Sequence, residues 1–251
     1  MNLKQKIRSN QLTIGSWISI GHPAIAEIMT KSSFDWLAVD LEHSVITIKE
    51  AEELIRIIEL SGISPLVRLT ENNDSLIKRI MDAGSHGIIV PMVKSLEEAR
   101  SAINSAYYPP KGNRSFGLAR AQGYGTTFKS YVDKNQTDTV VVVQIEHIDA
   151  LRELKEILSL EEVDAFMIGP YDLSGSMGIP GEFDNKEYLK VVEEINKIGK
   201  ETGTPNGIHI VEPDPVLFEE AANNFKFIAY SVDFRMIDVT CKTGIASLDR
   251  Q

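Results

Sequence analysis

The chain has 251 residues, a length that fits one (β/α)8 barrel and requires no second domain. Its 36 Asp and Glu against 26 Lys and Arg leave a net charge of −10, which argues against nucleic acid as the main partner because phosphate binding needs a basic face. No apolar run approaches the roughly 18–20 residues of a membrane span, no apolar stretch follows the basic start MNLKQKIRSN, and the single Cys241 excludes an internal disulfide, so a soluble cytoplasmic protein with no membrane partner is expected.

From the N-terminus onward, short runs rich in Val and Ile alternate with longer amphipathic stretches. Strands are predicted over 13–20, 36–42, 64–69, 87–93, 139–146, 164–169, 206–211 and 225–231. Between them lie helical patterns such as TIKEAEELIRIIELSG, NDSLIKRIMDAG and NKEYLKVVEEINKIGKETG, which stop on Gly62, Gly84 and Gly203 as glycine-capped helices do. Eight strand–helix units favour a closed α/β barrel of the (β/α)8 type over an open doubly wound sheet. The predicted strand ends at His43, Arg68 and Val93 are separated by steps of 25 residues, the length of one tight β/α unit. The whole chain, 1–251, reads as one such domain. Residues 107–136, rich in Gly, Tyr and Arg and poor in periodicity, interrupt the rhythm, and a loop of that length in a compact domain is expected to be functional or disordered.

In a (β/α)8 barrel, the C-terminal ends of the strands face the active-site mouth. Four predicted strands turn abruptly polar there: at Asp40-Leu41-Glu42-His43, at Arg68, at Gln144-Ile145-Glu146-His147, and at Gly169-Pro170-Tyr171-Asp172-Leu173-Ser174. If Gln144 and Glu146 point inward, Ile145 points to the helix layer, which suits its chemistry. Glu146 and Asp172 then come from adjacent strands and can converge on one cation. Two carboxylates without His or Cys suit a hard divalent ion, Mg2+ or Mn2+, with Co2+ also compatible. Each carboxylate taken alone also fits a surface group or a helix cap. Arg68 fits either a salt bridge in the barrel or an anion site beside the cation. His43 fits either a structural histidine or an acid/base group whose tautomer is fixed by Asp40, Glu42 or Asp82.

The motifs VDLEHS, PLVRL, MDAGSHGIIVPMV, YYPPKGNRSFG, QIEH and IGPYDLSGSMG occur in an order that resembles the HpcH/HpaI family of class II aldolases, over roughly residues 10–240. The resemblance implies a divalent-metal-dependent enzyme that reversibly cleaves a 4-hydroxy-2-oxo acid, such as a 2-keto-3-deoxy sugar acid, into pyruvate and an aldehyde through an enolate held at the metal. It implies Glu146 and Asp172 as metal ligands, with Arg68 stabilising the enolate. His43 would be the acid/base group, with Asp82, possibly supplied from a neighbouring position in the assembly, as its partner. Gln144 and the turn carrying Gly169, Pro170, Leu173 and Ser174 would hold the 2-oxo acid. It also implies a homo-oligomer, a hexamer built as a trimer of dimers that exchange their C-terminal helices. The sequence departs from the family pattern at Arg114-Ser115, at His147 and at His209. The two histidines fit either readers of a polar acceptor or packed rim residues. Three rivals stay open: oxaloacetate decarboxylation or another enolate transfer at the same site, Schiff-base chemistry at Lys94, and a barrel that binds sugar acids without turning them over.

Overall fold

Every residue from Val140 to Ile145 is buried, the pattern of a parallel strand covered on both faces. The computed structural model describes residues 1–246 and shows what does the covering. Strands β1 (Thr13–Ile18), β2 (Trp36–Asp40), β3 (Ser64–Arg68), β4 (Gly87–Val90), β5 (Val140–Ile145), β6 (Ala165–Ile168), β7 (Asn206–Ile210) and β8 (Phe227–Val232) pair in parallel in chain order. β8 returns to β1 and closes the barrel. Around it run α1 (Leu3–Arg8), α2 (Pro23–Met29), α3 (Ile48–Leu60), α4 (Asp74–Ala83), α5 (Leu96–Ala106), α6 (Phe128–Asp138), α7 (Leu154–Leu158), α8 (Pro170–Ser176), α9 (Lys186–Thr202), α10 (Pro215–Asn224) and α11 (Asp233–Ala246). None of the described helices is long and apolar enough to cross a membrane.

Seven of the eight strands are shorter than predicted at their C-terminal ends, for local reasons; β8 alone runs one residue further, to Val232. β2 stops at Asp40 because its carboxylate folds back to accept the backbone N–H groups of Glu42 (3.0 Å) and His43 (3.3 Å). β4 stops at Val90 because Pro91 has no N–H and Met92 takes a left-handed conformation with φ of 54°. The glycine stops hold: Gly84 and Gly203 cap α4 and α9 in the left-handed region.

Alternation along the strands divides the core in two. Outward residues such as Val39, Val67, Val143 and Ile145 pack with the helix faces, including Leu54, Ile58 and Ile80. Inward residues such as Trp36, Leu66, Val142 and Phe227 fill the barrel, where Trp36 and Phe227 stack at 4.5 Å. At the N-terminal end of the strands, α1 closes the barrel. Leu3 and Ile7 join the inner cluster, and the Lys4 ammonium donates to Asp164 (2.9 Å), the Thr139 carbonyl (2.8 Å) and the Tyr107 hydroxyl (3.0 Å).

The long segment 107–136 is neither a mouth loop nor shapeless. Its Tyr107 and Tyr108 are fully buried, and its second half enters α6. Arg114, its side chain fully buried, lies over the rings of Tyr108 and Tyr131 and donates to Asp82 at 2.5 Å. One irregularity bears on the site. Between β1 and β8 the pairing steps from Gly15↔Ala229 to Trp17↔Val232, so β8 carries one extra residue there, with Ser231 at a φ of 54°.

Candidate active site

Followed toward the C-terminal ends, the inward-facing positions change from apolar to polar. Asp40 and Arg68 are direct neighbours on β2 and β3. On β5 the register sets Gln144 beside Met167 of β6, which brings Glu146 to the level of Gly169. His209 of β7 lies beside the inward Ala229. The alternation inferred for Gln144, Ile145 and Glu146 is therefore the one that forms.

Arg68 is fixed from three sides. Its Nε and Nη2 donate to the two oxygens of Asp40 at 2.9 and 2.7 Å, its Nη1 lies 3.4 Å from Glu42, and its guanidinium sits 4.5 Å over the Trp17 indole. Burial alone would raise the Asp40 carboxyl. The bonds and charge of Arg68, with the N–H groups of His43 and Glu42, hold it below its ordinary value.

Glu146 is fixed just as firmly. It is 4% exposed; Oε1 accepts from Gln144 Nε2 at 2.6 Å and Oε2 from the Met92 N–H at 3.0 Å. The left-handed turn at Met92 aims that N–H, a contribution with no signature in residue type. Gly169 is the other wall: a Cβ there would lie 2.3 Å from Glu146 Oε1 and 2.6 Å from its Cγ. Glycine is required at 169 for this approach rather than for backbone conformation.

Asp172 stands in the first turn of α8, and its negative charge acts on both Glu42 and Glu146. Burial first, then repulsion from Asp40 and Asp172, pushes Glu42 up to about 7 against the pull of Arg68. Burial first, then Glu42 and Asp172, pushes Glu146 up to about 7 against the Met92 N–H and Arg68. The charges of Glu42 and Asp172 thus act on Glu146 beside a guanidinium already committed to Asp40. The donor set is hard oxygen, the Oε1 of Gln144 and Oε2 of Glu42 are buried without a hydrogen-bond partner among the described residues, and the cradle fits a divalent cation. Among the described residues no three His, Cys, Asp or Glu converge tightly enough to hold an ion alone, so water or substrate oxygens would complete its shell.

The remaining predicted residues divide. The His43 side chain is 65% exposed at the mouth, with Nε2 3.8 Å from Glu42. Asp82 does not reach it within one chain. It sits near the C-terminal end of α4, beside the start of β4 and away from the mouth, where Arg114 and Gln122 (3.1 Å) bind it. Leu173 is buried in the outer core, and its N–H donates to the Gly169 carbonyl. The Ser174 hydroxyl donates to the Tyr171 carbonyl and accepts from the Gly181 N–H, so it shapes the loop. With Pro170 at the first helical position, the α8 N–H groups lacking an intrahelical acceptor are those of Tyr171 and Asp172. His147 caps the 3-10 turn 148–153: its Nδ1 accepts the Asp149 N–H at 3.2 Å. Ser115 is exposed next to the buried Arg114. Lys94 lies past β4, its own N–H donating to Glu98 at 2.6 Å, and the cation acting on both Glu42 and Glu146 is Arg68. His209 turns inward, its ring edge-to-face with Trp17 at 5.7 Å. Trp17 itself escapes a reading based on polar strand ends, although an indole at an inward position near the end of β1 was a visible signal.

Fold and mouth together define a (β/α)8-barrel enzyme with an anionic, arginine-braced centre at the C-terminal ends of its strands. The family model for HpcH/HpaI aldolase/citrate lyase matches residues 13–236. A hydroxypyruvate/pyruvate aldolase of Sagittula stellata is 33% identical over 235 residues, which cover 93% of this chain and 92% of the relative. A 2-keto-3-deoxy-L-rhamnonate aldolase of Escherichia coli is 32% identical over 232 residues, covering 92% and 86% respectively. The crystal structure of an HpcH/HpaI aldolase from Desulfitobacterium hafniense superposes with a TM-score of 0.88 at 25% identity, over 100% of this chain and 98% of that one. The chain belongs to the HpcH/HpaI aldolase/citrate lyase family and is an aldolase, a carbon–carbon lyase.

Proposed function

We propose that the protein reversibly cleaves a 4-hydroxy-2-oxo acid of the 2-keto-3-deoxy sugar-acid type into pyruvate and an aldehyde, with Mg2+ or Mn2+ held by Glu146 and Asp172. The observation that carries this reading is the buried Glu146 carboxylate, fixed by Gln144 and the Met92 N–H against Gly169, with the charges of Glu42 and Asp172 acting on it beside a guanidinium already paired with Asp40. When bound, the cation supplies Lewis-acid stabilisation of the enolate form of the 2-oxo acid.

The chain's own residues do the rest. Asp40 and Trp17 hold Arg68 rigid, so its charge faces the oxygen on which negative charge develops without reorganising during the reaction. Gln144 and Met92 fix the Glu146 carboxylate, and the free N–H groups at the start of α8 receive the substrate carboxylate. His43, exposed at the mouth and oriented by Glu42, takes the proton of the 4-hydroxyl in cleavage; the C3–C4 bond then breaks and the aldehyde leaves outward. In synthesis the same imidazole returns the proton to the new alkoxide. Asp82 joins His43 only when a neighbouring subunit brings its opposite face to this mouth. Oligomerisation also suits α11, which leaves Phe234, Ile237 and Ile245 exposed, apolar side chains that an exchanged helix would bury.

Purified protein stripped with EDTA and assayed for pyruvate release from 2-keto-3-deoxy acids tests the reading. Activity is expected to vanish on chelation, to return with Mn2+ or Mg2+, and to be lost in Glu146→Ala. Full turnover in the stripped enzyme, or in that variant, overturns it.

A further inference from the structure

Asp233, the first residue of α11, is the one buried residue among those described in that helix. A carboxylate at the start of a helix ordinarily serves the helix itself, by accepting N–H groups of its first turn. Asp233 uses only one oxygen that way, Oδ1 taking the Phe234 N–H at 2.7 Å. Oδ2 reaches across to the turn that follows β1 and accepts the N–H groups of Ser19 at 2.9 Å and Ile20 at 2.8 Å.

The extra residue in β8 permits that reach. Phe227 and Ala229 face into the barrel, and unbroken alternation would send Ser231 and Asp233 inward after them. Instead Val232 joins the inner cluster opposite Trp17, and Asp233 turns off the inward face. Ser231 holds the irregular backbone with two bonds: its hydroxyl donates to the Val211 carbonyl at 2.8 Å, and its carbonyl accepts from the Ser16 hydroxyl at 3.3 Å. The bulge thus keeps a further carboxylate out of an anionic mouth and aims it at a loop.

The loop it grips leads back to the site. Ser19 Oγ donates to Asp40 Oδ2 at 3.4 Å, and the same oxygen accepts Arg68 Nη2 at 2.7 Å. Oδ1 of Asp40 is taken by Arg68 Nε and by the N–H groups of Glu42 and His43. A donor from the β1 side limits how the Asp40 carboxylate can rotate, and the guanidinium fork must rotate with it. Charge joins the two carboxylates as well. Burial first raises the Asp233 carboxyl, the Ile20, Phe234 and Ser19 N–H groups pull it down, and the Asp40 charge pushes it up.

We propose that Asp233 is a positioning residue for the reaction: it holds the turn after β1 so that Ser19 pins Asp40, and Asp40 in turn fixes the Arg68 guanidinium. The inference rests on the part given to Arg68 in the proposed function. It links the start of α11 to the reacting centre by way of two side chains, Ser19 and Asp40.

The test measures kcat and KM for pyruvate release with Mn2+ in wild type, Asp233→Ala, Ser19→Ala, their double variant and Asp233→Asn. A misplaced guanidinium weakens stabilisation of the developing charge more than it weakens substrate binding. In Asp233→Ala, kcat should therefore fall about tenfold while KM stays within about twofold. Ser19→Ala should lose about threefold, and the double variant no more than Asp233→Ala alone, because both changes act on one route. Asp233→Asn keeps an amide oxygen for the Ser19 and Ile20 N–H groups and should recover most of the turnover. A purely structural anchor would lower the thermal midpoint and leave kcat of the folded enzyme unchanged. That outcome overturns the inference, as do losses that multiply in the double variant. Normal turnover in Arg68→Lys overturns the part given to Arg68 instead. Should Asp233→Ala fail to fold, the Arg68 Nε–H resonance of 15N-arginine-labelled protein gives the answer. It should shift and exchange faster with water in Ser19→Ala and, to a smaller extent, in Asp233→Asn. A resonance that stays put in either variant refutes the role.

Discussion

Adding one methyl group at Gly169 should disable the site without replacing either proposed metal ligand. In Gly169→Ala the new Cβ would lie 2.3 Å from Glu146 Oε1, 2.6 Å from its Cγ and 2.8 Å from its Cδ. An ordinary contact needs about 3.4 Å, so the carboxylate must retreat by about 1 Å. That retreat stretches the 2.6 Å bond from Gln144 and the 3.0 Å bond from Met92 beyond hydrogen-bonding range. Two hydrogen bonds to a buried charge are worth about 1.5–3 kcal/mol each. Partial rehydration of the displaced group offsets some of this, which leaves an expected loss of about 2–4 kcal/mol in folding stability by urea titration. A displacement of about 1 Å at a reacting centre should lower kcat about 100-fold, with a matching loss of Mn2+ affinity by calorimetry. Gly175→Ala is the control: it lies in the same helix with open space around it, so it should bind and react as wild type and be no less stable. If Gly169→Ala binds Mn2+ and releases pyruvate as wild type does, Glu146 is not where the cation is held.

Two further outcomes follow from the charges. Cation binding requires Glu146 deprotonated, and its carboxyl titrates at about 7, so Mn2+ affinity measured from pH 8 to pH 6 should fall about tenfold per proton displaced; a flat profile would contradict the assignment. The metal-free protein moves the opposite way in stability. Its folded state holds the Glu42 and Glu146 protons more tightly than the unfolded chain, so as pH rises from the ordinary 4.5 to about 7, stability is lost rather than gained. In Arg68→Lys, a single ammonium replaces a fork that bonds both oxygens of Asp40 and stacks on Trp17. The thermal midpoint should drop by several degrees and kcat by at least about 100-fold, and near-normal turnover in the variant would mean that the charge alone suffices.

What could be read in advance, and what could not, divides along physical lines. The period-2 pattern of QIE fixes which side chains enter the barrel, because Ile145 has no place in a polar mouth and Glu146 none among the helix packing. The Asp40–Arg68 pair follows from adjacent strands ending at one level. Motif resemblance alone points to Asp82, although it lies at the end of a helix that runs away from the mouth, and chain direction places it at the opposite face. Backbone events were hidden. The left-handed turns at Met92 and Ser231 occupy residue types with no preference for that conformation, yet the first aims an N–H at Glu146 and the second lets its hydroxyl donate to the Val211 carbonyl just past β7. The Ser174 hydroxyl was hidden too, because its partners at Tyr171 and Gly181 depend on how the loop closes rather than on what it contains.

The short helix α1 has a bearing on chemistry at the far end of the molecule. With Leu3 and Ile7 seated in the barrel and Lys4 anchored to Asp164, the eight strands form a well with a floor instead of a pipe. Water therefore reaches the carboxylates from one direction only, the direction from which substrate arrives and which substrate then blocks. A chain trimmed of its first nine residues would keep every group named at the mouth and lose that seal. Its lowest inward layer, with Trp36, Val140 and Phe227, would meet water instead, so the cost would fall on the stability of the barrel before it reached the carboxylates.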